Sequence, residues 1–361
     1  MASNRKILKL RYMATDALAR QGIFSLQLPA DATPAYQEEV SSVLVRAIHE
    51  RLIPIFLQAV IDDDRLKVTE LLDKNPELLL IKSPKGIEIQ CQHAWLLIDV
   101  ENEDGLSIAS KRKQIKMIEL LLPYYDKLEQ TQDAIKAKLE ALSAWKTYEM
   151  QKNAAGEDEI IIPQEYTAYA QSLADLFDNE TSSNCFDGKF SEETESALSF
   201  LFNILLPKRA VKLDEYLDLE LFLLALYRAA NYKPATFQNM DQREEFCTRA
   251  IGLTQSVQSR ETANIFLKAL YYQVLNIKLK VSTDELELLK LQGNCPFYRS
   301  APQFLDGHGF AYYYGIYGMR PARCDWPQLA EASRLFGKAL LDKNNCFLEQ
   351  RAAIVTKTKL I

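Results

Sequence analysis

The chain has 361 residues, of which 48% are hydrophobic, and its formal net charge is -6. This length favours about two domains, and that share of apolar side chains is enough to bury sizeable cores. The net negative charge argues against a nucleic-acid-binding or lipid-binding surface spread over the whole molecule, so such a partner would need a local basic patch.

The cysteines and the apolar segments predict a cytosolic protein. The 6 cysteines are widely spaced and form no C-x-x-C pair, which argues against a zinc module or a disulfide framework. Reduced thiols in a cytosol are the simplest interpretation. No apolar run approaches the roughly 18 residues that cross a bilayer, and the start, MASNRKILKLRY, lacks the apolar region of a cleaved signal peptide. We therefore expect a soluble protein without a membrane span, which would leave its cell only by a route other than a standard N-terminal signal.

Helical patterns follow one another along the chain. The first begins at Thr33-Pro34, where an N-cap residue and a proline precede AYQEEVSSVLVRAIHERL. Strand signals are confined to Ile87–Leu97, where apolar and polar residues alternate. The pattern predicts an all-α fold with one hairpin, and with further helices at 55–62, 64–73, 106–112, 114–122, 124–151, 163–178, 191–206, 213–231, 239–257, 260–278, 283–291, 301–316 and 327–342.

Two of these helical stretches repeat each other. DGLSIA, which starts at Asp104, fits the first part of the ankyrin pattern T-P-L-H-x-A, and IELLL then supplies the end of a second helix. The upstream stretch FLQAVIDDDRLKVTELL matches it at a constant offset of 50, as in Ala59 and Ala109 or Leu72 and Leu122. Ankyrin repeats recur about every 33 residues, so an excess of about 17 residues predicts an enlarged hairpin between the two units.

The segments AVIDDDRLKVTELLDKNPELL and LSIASKRKQIKMIELLLPYYDKL resemble the degenerate ankyrin repeats of effector proteins that Legionella-type intracellular bacteria inject into host cells. The resemblance covers about residues 53–128 and departs from the ankyrin pattern where Asp63 and Lys113 replace the turn glycines. It implies a protein-binding surface, a host protein as the partner, a role in virulence and translocation into the host cytoplasm. It supplies no catalytic residues.

The predicted organisation has three parts: an N-terminal segment at 1–32, an ankyrin-like layer at 33–152 and a second helical domain at 160–361. Two repeats cannot bury a continuous core, so the helices at 35–52 and 124–151 are expected to cap the ends of the layer. The boundary at 152–162 is predicted to be a loop because Asn153, Gly156 and a charged run lie there.

An enzymatic alternative rests on the C-terminal part. Cys295 would be a nucleophile, His308 its base and Asp306 the orienting carboxylate. The competing interpretation is that the glycines between Gly293 and Gly318 let helices approach closely while the neighbouring tyrosines pack an aromatic core. The chain has no nucleophile elbow, P-loop, dinucleotide-binding glycine motif or H-E-x-x-H motif. Packing is therefore favoured over catalysis, the enzymatic alternative stays open, and we expect no cofactor and no metal.

The predicted partner site combines the hairpin with a basic turn. His93 and Trp95 lie in the hairpin, and Lys111, Arg112 and Lys113 lie in the turn of the second repeat. Trp95 either pins the hairpin to the helices or is an exposed anchor for a partner. The basic run is interpreted as a solvated turn rather than a nucleic-acid-binding patch. An aromatic anchor beside positive charge would suit an acidic surface on a protein partner.

Overall fold

The computed structural model describes residues 51–91, 96–128, 132–187, 189–231, 242, 245–258, 261–262 and 326–358. Several predictions fall outside these residues: the N-terminal segment, nearly all of the capping helix at 35–52, and the helices at 283–291 and 301–316. The same is true of His93 and Trp95 in the hairpin and of Cys295, Asp306 and His308.

Most of the described residues are helical, as the sequence predicts. The helices are α1 (51–61), α2 (Arg65–Lys74), α3 (Gly105–Lys111), α4 (Ile115–Lys127), α5 (Gln132–Ser143), α6 (Gln164–Asp178), α7 (Ser182–Asp187), α8 (Glu192–Leu205), α9 (Leu219–Asn231), α10 (Gly252–Ser256) and α11 (Trp326–Thr358). A 3-10 turn at Pro76–Leu80 follows α2, and a π turn at Cys247–Ile251 precedes α10. None of the helices in the described part of the chain is both long and apolar enough to cross a membrane.

Strands occur at more places than the prediction of one hairpin allows. Strands β1 (Glu88–Gln90) and β2 (Leu97–Asp99) pair antiparallel, with Ile89 opposite Ile98. Strand β5 (Val211–Lys212) adds to β2 in the parallel direction, which gives the order β1-β2-β5. The alternating stretch at 87–97 therefore forms two strands, but they belong to a small sheet that includes a strand from the second half of the chain.

A second antiparallel pair replaces the loop predicted at 152–162. It consists of β3 (Met150–Lys152) and β4 (Asp158–Ile160). The Asn153 side chain accepts hydrogen bonds from the backbone N–H groups of Ala155 and Glu157, at 2.9 Å each, and so closes the turn. The same residues that predicted a loop thus form a tight hairpin turn, and the single helix predicted at 124–151 is wrong because the chain leaves α5 after Ser143.

Two helix-turn-helix units, α1–α2 and α3–α4, share one backbone geometry. The Asp64 N–H donates to the Ala59 carbonyl at 2.8 Å, and the Gln114 N–H donates to the Ala109 carbonyl at 2.9 Å, each partner 50 positions along. Asp63 and Lys113 have φ values of 55° and 54°, in the left-handed region that costs a non-glycine residue about 1 kcal/mol. At both turn positions, the chain therefore keeps the left-handed backbone conformation that glycine adopts most easily, although the residues are Asp63 and Lys113.

Caps and one close contact set the position of these units. Asp64 and Asp104 begin α2 and α3, since each carboxylate accepts a backbone N–H in the first turn, at 3.0 and 2.8 Å. An added Cβ at Gly105 would lie 2.6 Å from the Phe56 ring, so glycine lets α3 pack directly on α1. Helix α2 in turn packs against α4.

The hydrophobic core continues across the predicted domain boundary. Buried apolar residues from α1 to α11 form one cluster, and Ile160 of strand β4 belongs to it. Helix α9 lies at its centre and packs on α6 and α11, while α11 also contacts α5 and β4. The division into two folding domains stays a prediction. The predicted boundary at 152–162 contains Ile160, which is part of this shared core.

Candidate functional site

The basic turn of the second unit is not solvated, so this prediction is wrong. The Lys113 side chain is 6% exposed, its Nζ lies 2.7 Å from a carboxylate oxygen of Asp218, and it sits 3.6 Å from the centroid of the Tyr148 ring. Lys111 forms ion pairs with Glu103 and, at 3.2 Å, with Asp214. Both ammonium groups are neutralised within the chain.

The segment 211–218 contacts both strand β2 of the hairpin and the basic turn. Its first residues form β5 and extend the sheet at β2, while Asp214 and Asp218 further along pair with Lys111 and Lys113. The structure therefore brings the hairpin strands and the basic turn onto the same segment, which the sequence had assigned to a helix.

A buried charge network, which the sequence analysis did not predict, lies beside this turn. At the start of α9, the Glu220 carboxylate accepts hydrogen bonds from the Lys343 ammonium, at 2.6 Å, and from the Tyr148 and Thr262 hydroxyls. Burial opposes ionisation of Glu220, but the charges of Lys343 and Lys113 outweigh it and hold its pKa below the usual value. A lone acid at the head of the apolar run LELFLLALY was the available sequence signal.

A second buried acid lies at the start of α4. The Glu261 carboxylate accepts the Lys116 backbone N–H at 3.1 Å, which places a carboxyl group at a helix N-terminus. Burial raises the pKa of Glu261 to about 7. Around neutral pH this group therefore exchanges a proton while it remains inside the fold.

A groove of about 750 Å³ opens onto this network. Its lining includes the basic turn, residues 143–144 and 146–149, Tyr166, and residues 213–214 and 216–221. Lys113, Asp218 and Glu220 lie in this lining and are tied into the ion pairs described above. A volume of this size is typical of sites for small ligands.

Arg112 differs from the two lysines beside it. Its Nε is buried and has no hydrogen-bond partner, and no carboxylate of the described residues forms an ion pair with it. Its charge lies close enough to Tyr216 to oppose, in part, the rise of that phenol's pKa caused by burial. Arg112 is therefore a cation in the groove wall whose charge is not matched by a protein anion.

Metal and thiol chemistry find no support in the described residues. In that part of the chain, no cluster of 3 or more His, Cys, Asp or Glu side chains could hold a metal ion. In the acidic turn of the first unit, Asp62 accepts a hydrogen bond from Gln58 and Asp64 caps α2, so both carboxylates have structural roles. The side chains of Cys91, Cys185 and Cys247 are buried.

No protein-family model matches the sequence, and neither a curated protein nor a solved structure matches it significantly. The function is therefore argued from the residues of this chain.

Proposed function

We propose that this protein is a non-enzymatic protein-binding module whose N-terminal layer is ankyrin-like. The resemblance to Legionella-type effectors adds the further proposal that the partner is a host protein, reached by translocation into the host cytoplasm. The two units α1–α2 and α3–α4 support the ankyrin-like assignment, because their turns match at an offset of 50 and Asp63 and Lys113 adopt the conformation expected of the ankyrin turn glycine.

The observation that carries the proposal is the outward face of α1. Arg51, Pro54, Ile55 and Gln58 recur at helical spacing and are exposed or half-buried, whereas the other described side chains of α1 are buried. Ile55 is 41% exposed. Ankyrin stacks bind partners through the inner helices and the adjoining hairpins, because this side can vary without disturbing the stacked core.

The hairpin borders this face. The Gln58 amide donates a hydrogen bond to the backbone carbonyl of Gln90 in β1, at 2.8 Å. The α1 face therefore continues onto strand β1 of the hairpin. Ile55 would give a partner an apolar anchor on this face, and the sequence predicts a candidate aromatic anchor, Trp95, in the same hairpin.

The ion pairs of the basic turn change the kind of surface that we expect on the partner. Lys111 and Lys113 are paired with acids of this chain, so they offer little charge to another protein. We therefore expect the partner to present an apolar surface to the α1 face rather than an acidic surface to the turn.

Affinity capture from host-cell lysate with substituted proteins tests the proposal. Ile55→Ala and Trp95→Ala should each weaken capture of a specific partner by about 30-fold, because loss of a hot-spot side chain costs at least about 2 kcal/mol. Leu66→Ala is the matched control, since Leu66 is 84% exposed but lies on α2, away from the α1 face. Equal losses in all three variants, or unchanged capture by Ile55→Ala and Trp95→Ala with normal folding, would show that this surface does not bind the partner.

A further inference from the structure

The groove beside the basic turn contains a charged donor that the protein does not satisfy. Arg112 Nε is buried without a hydrogen-bond partner. Buried donors of charged groups are rarely left unpaired, because the lost hydrogen bonds to water cost more than those of a neutral group. The Arg112 residue as a whole is partly exposed and lines the groove, and no carboxylate of the described residues pairs with it, so an anion from outside the chain can approach its guanidinium from the groove.

We propose that the groove is a binding site for a small monocarboxylic acid whose carboxylate pairs with Arg112. The planar fork of a guanidinium matches a carboxylate with two parallel hydrogen bonds, and such charge-assisted pairs are about twice as strong as neutral hydrogen bonds. This site is separate from the α1 face and does not depend on the proposed function.

The charge of the groove selects a monoanion. The lining contains 4 basic and 4 acidic side chains, so it has no excess positive charge to attract a strongly charged ligand. Asp214 and Asp218 lie in the same lining, where they would repel a phosphate dianion more than a carboxylate. Lys146 adds a second cation at an exposed position, with its Nζ 2.9 Å from the Asp214 carbonyl.

The walls of the groove suit an apolar body attached to that carboxylate. Leu213, Leu217 and Pro163 line it together with the rings of Tyr166 and Tyr216. Both rings are held in place, since the Tyr166 hydroxyl accepts the Asp218 N–H at 3.0 Å and the Tyr216 hydroxyl donates to the Leu205 carbonyl. Rigid apolar walls with a few fixed polar and charged groups are typical of small-molecule sites, and here Arg112 is the cation that no described carboxylate pairs with.

Titration calorimetry of the full chain with benzoate tests the site, and benzamide, acetate and inorganic phosphate serve as comparison ligands. We expect benzoate to bind, acetate to bind more weakly because it lacks the apolar body, and benzamide and phosphate to bind at least tenfold more weakly. Absence of benzoate binding at millimolar concentrations, or equal binding of benzamide or phosphate, would overturn the proposal without any variant.

Variants then assign the site to Arg112. Arg112→Gln should weaken benzoate binding about tenfold to a hundredfold, the effect of a charge-assisted hydrogen bond, and Arg112→Lys should lie between that variant and the natural protein. Arg209→Gln is the control because Arg209 is exposed and does not line the groove. Unchanged binding by both Arg112 variants would overturn the assignment, and a folding defect in Arg112→Gln would leave the Arg112→Lys comparison to decide it.

Discussion

Replacement of Lys343 by methionine tests the role of the buried charge network. The Lys343 and Glu220 side chains are 2% and 6% exposed, and their ion pair measures 2.6 Å. Methionine keeps the length of the lysine stem but leaves the Glu220 carboxylate buried, with the Tyr148 and Thr262 hydroxyls as its closest remaining donors. Loss of one member of such a pair costs about 3 to 5 kcal/mol, because the buried carboxylate is left without its ion-pair partner.

Urea denaturation followed by far-ultraviolet circular dichroism measures this cost. Lys343→Met should lose about 3 kcal/mol or more, whereas Lys338→Met, at an exposed position on the same helix, should stay within about 0.5 kcal/mol of the natural protein. The double variant Glu220→Gln, Lys343→Met should recover much of the loss, because it removes both charges. A loss below about 1 kcal/mol, or a double variant no more stable than Lys343→Met, would refute the reasoning.

Two further predictions concern a proton and a close contact. Burial raises the Glu261 pKa from 4.5 to about 7, so the folded chain holds a proton that the unfolded chain releases, and stability should fall as the pH rises between these values. Glu261→Gln keeps an acceptor for the Lys116 N–H and should remove this part of the pH dependence, about 3 kcal/mol at most. Urea midpoints measured between these pH values check it, and the same change of midpoint with pH in both proteins would contradict the prediction. Gly105→Ala should lower the free energy of unfolding by about 1 to 3 kcal/mol, because its methyl group would meet the Phe56 ring, whereas Gly337→Ala in α11 should be neutral or stabilising because its Cβ has room. Thermal melting checks this pair, and equal effects at the two glycines would show that α1 and α3 do not pack as described.

The helices, turns and strands that the sequence predicts correctly are set by residues close to one another in the sequence. Local patterns predict helices at 64–73 and 106–112, and α2 and α3 form there, capped by Asp64 and Asp104. The constant offset between the two units predicts matching turns, and the backbone hydrogen bonds of these turns do match. The alternation at 87–97 predicts strands, which form as β1 and β2.

The buried charges and the strands that the sequence does not predict depend on contacts between residues far apart in the sequence. Lys113 is paired with an acid 105 positions later, and Lys343 with one 123 positions earlier, so local composition could not show that either charge is buried. The stretch 124–151 is rich in helix-forming residues, yet Trp145 and Tyr148 are buried in the core and the chain continues as a hairpin. Tertiary packing overrides helix propensity there.

Site-specific photo-crosslinking in host cells tests most directly the claim that the α1 face binds a protein. A photoreactive phenylalanine analogue would replace Ile55 on this face, and Leu66 on α2 in a control protein, because both natural side chains are large, apolar and exposed. The account predicts a discrete crosslinked species with the probe at position 55 and none at position 66. The same crosslinked species from position 66, or a species from position 66 alone, would contradict it, as would the absence of any crosslink at position 55.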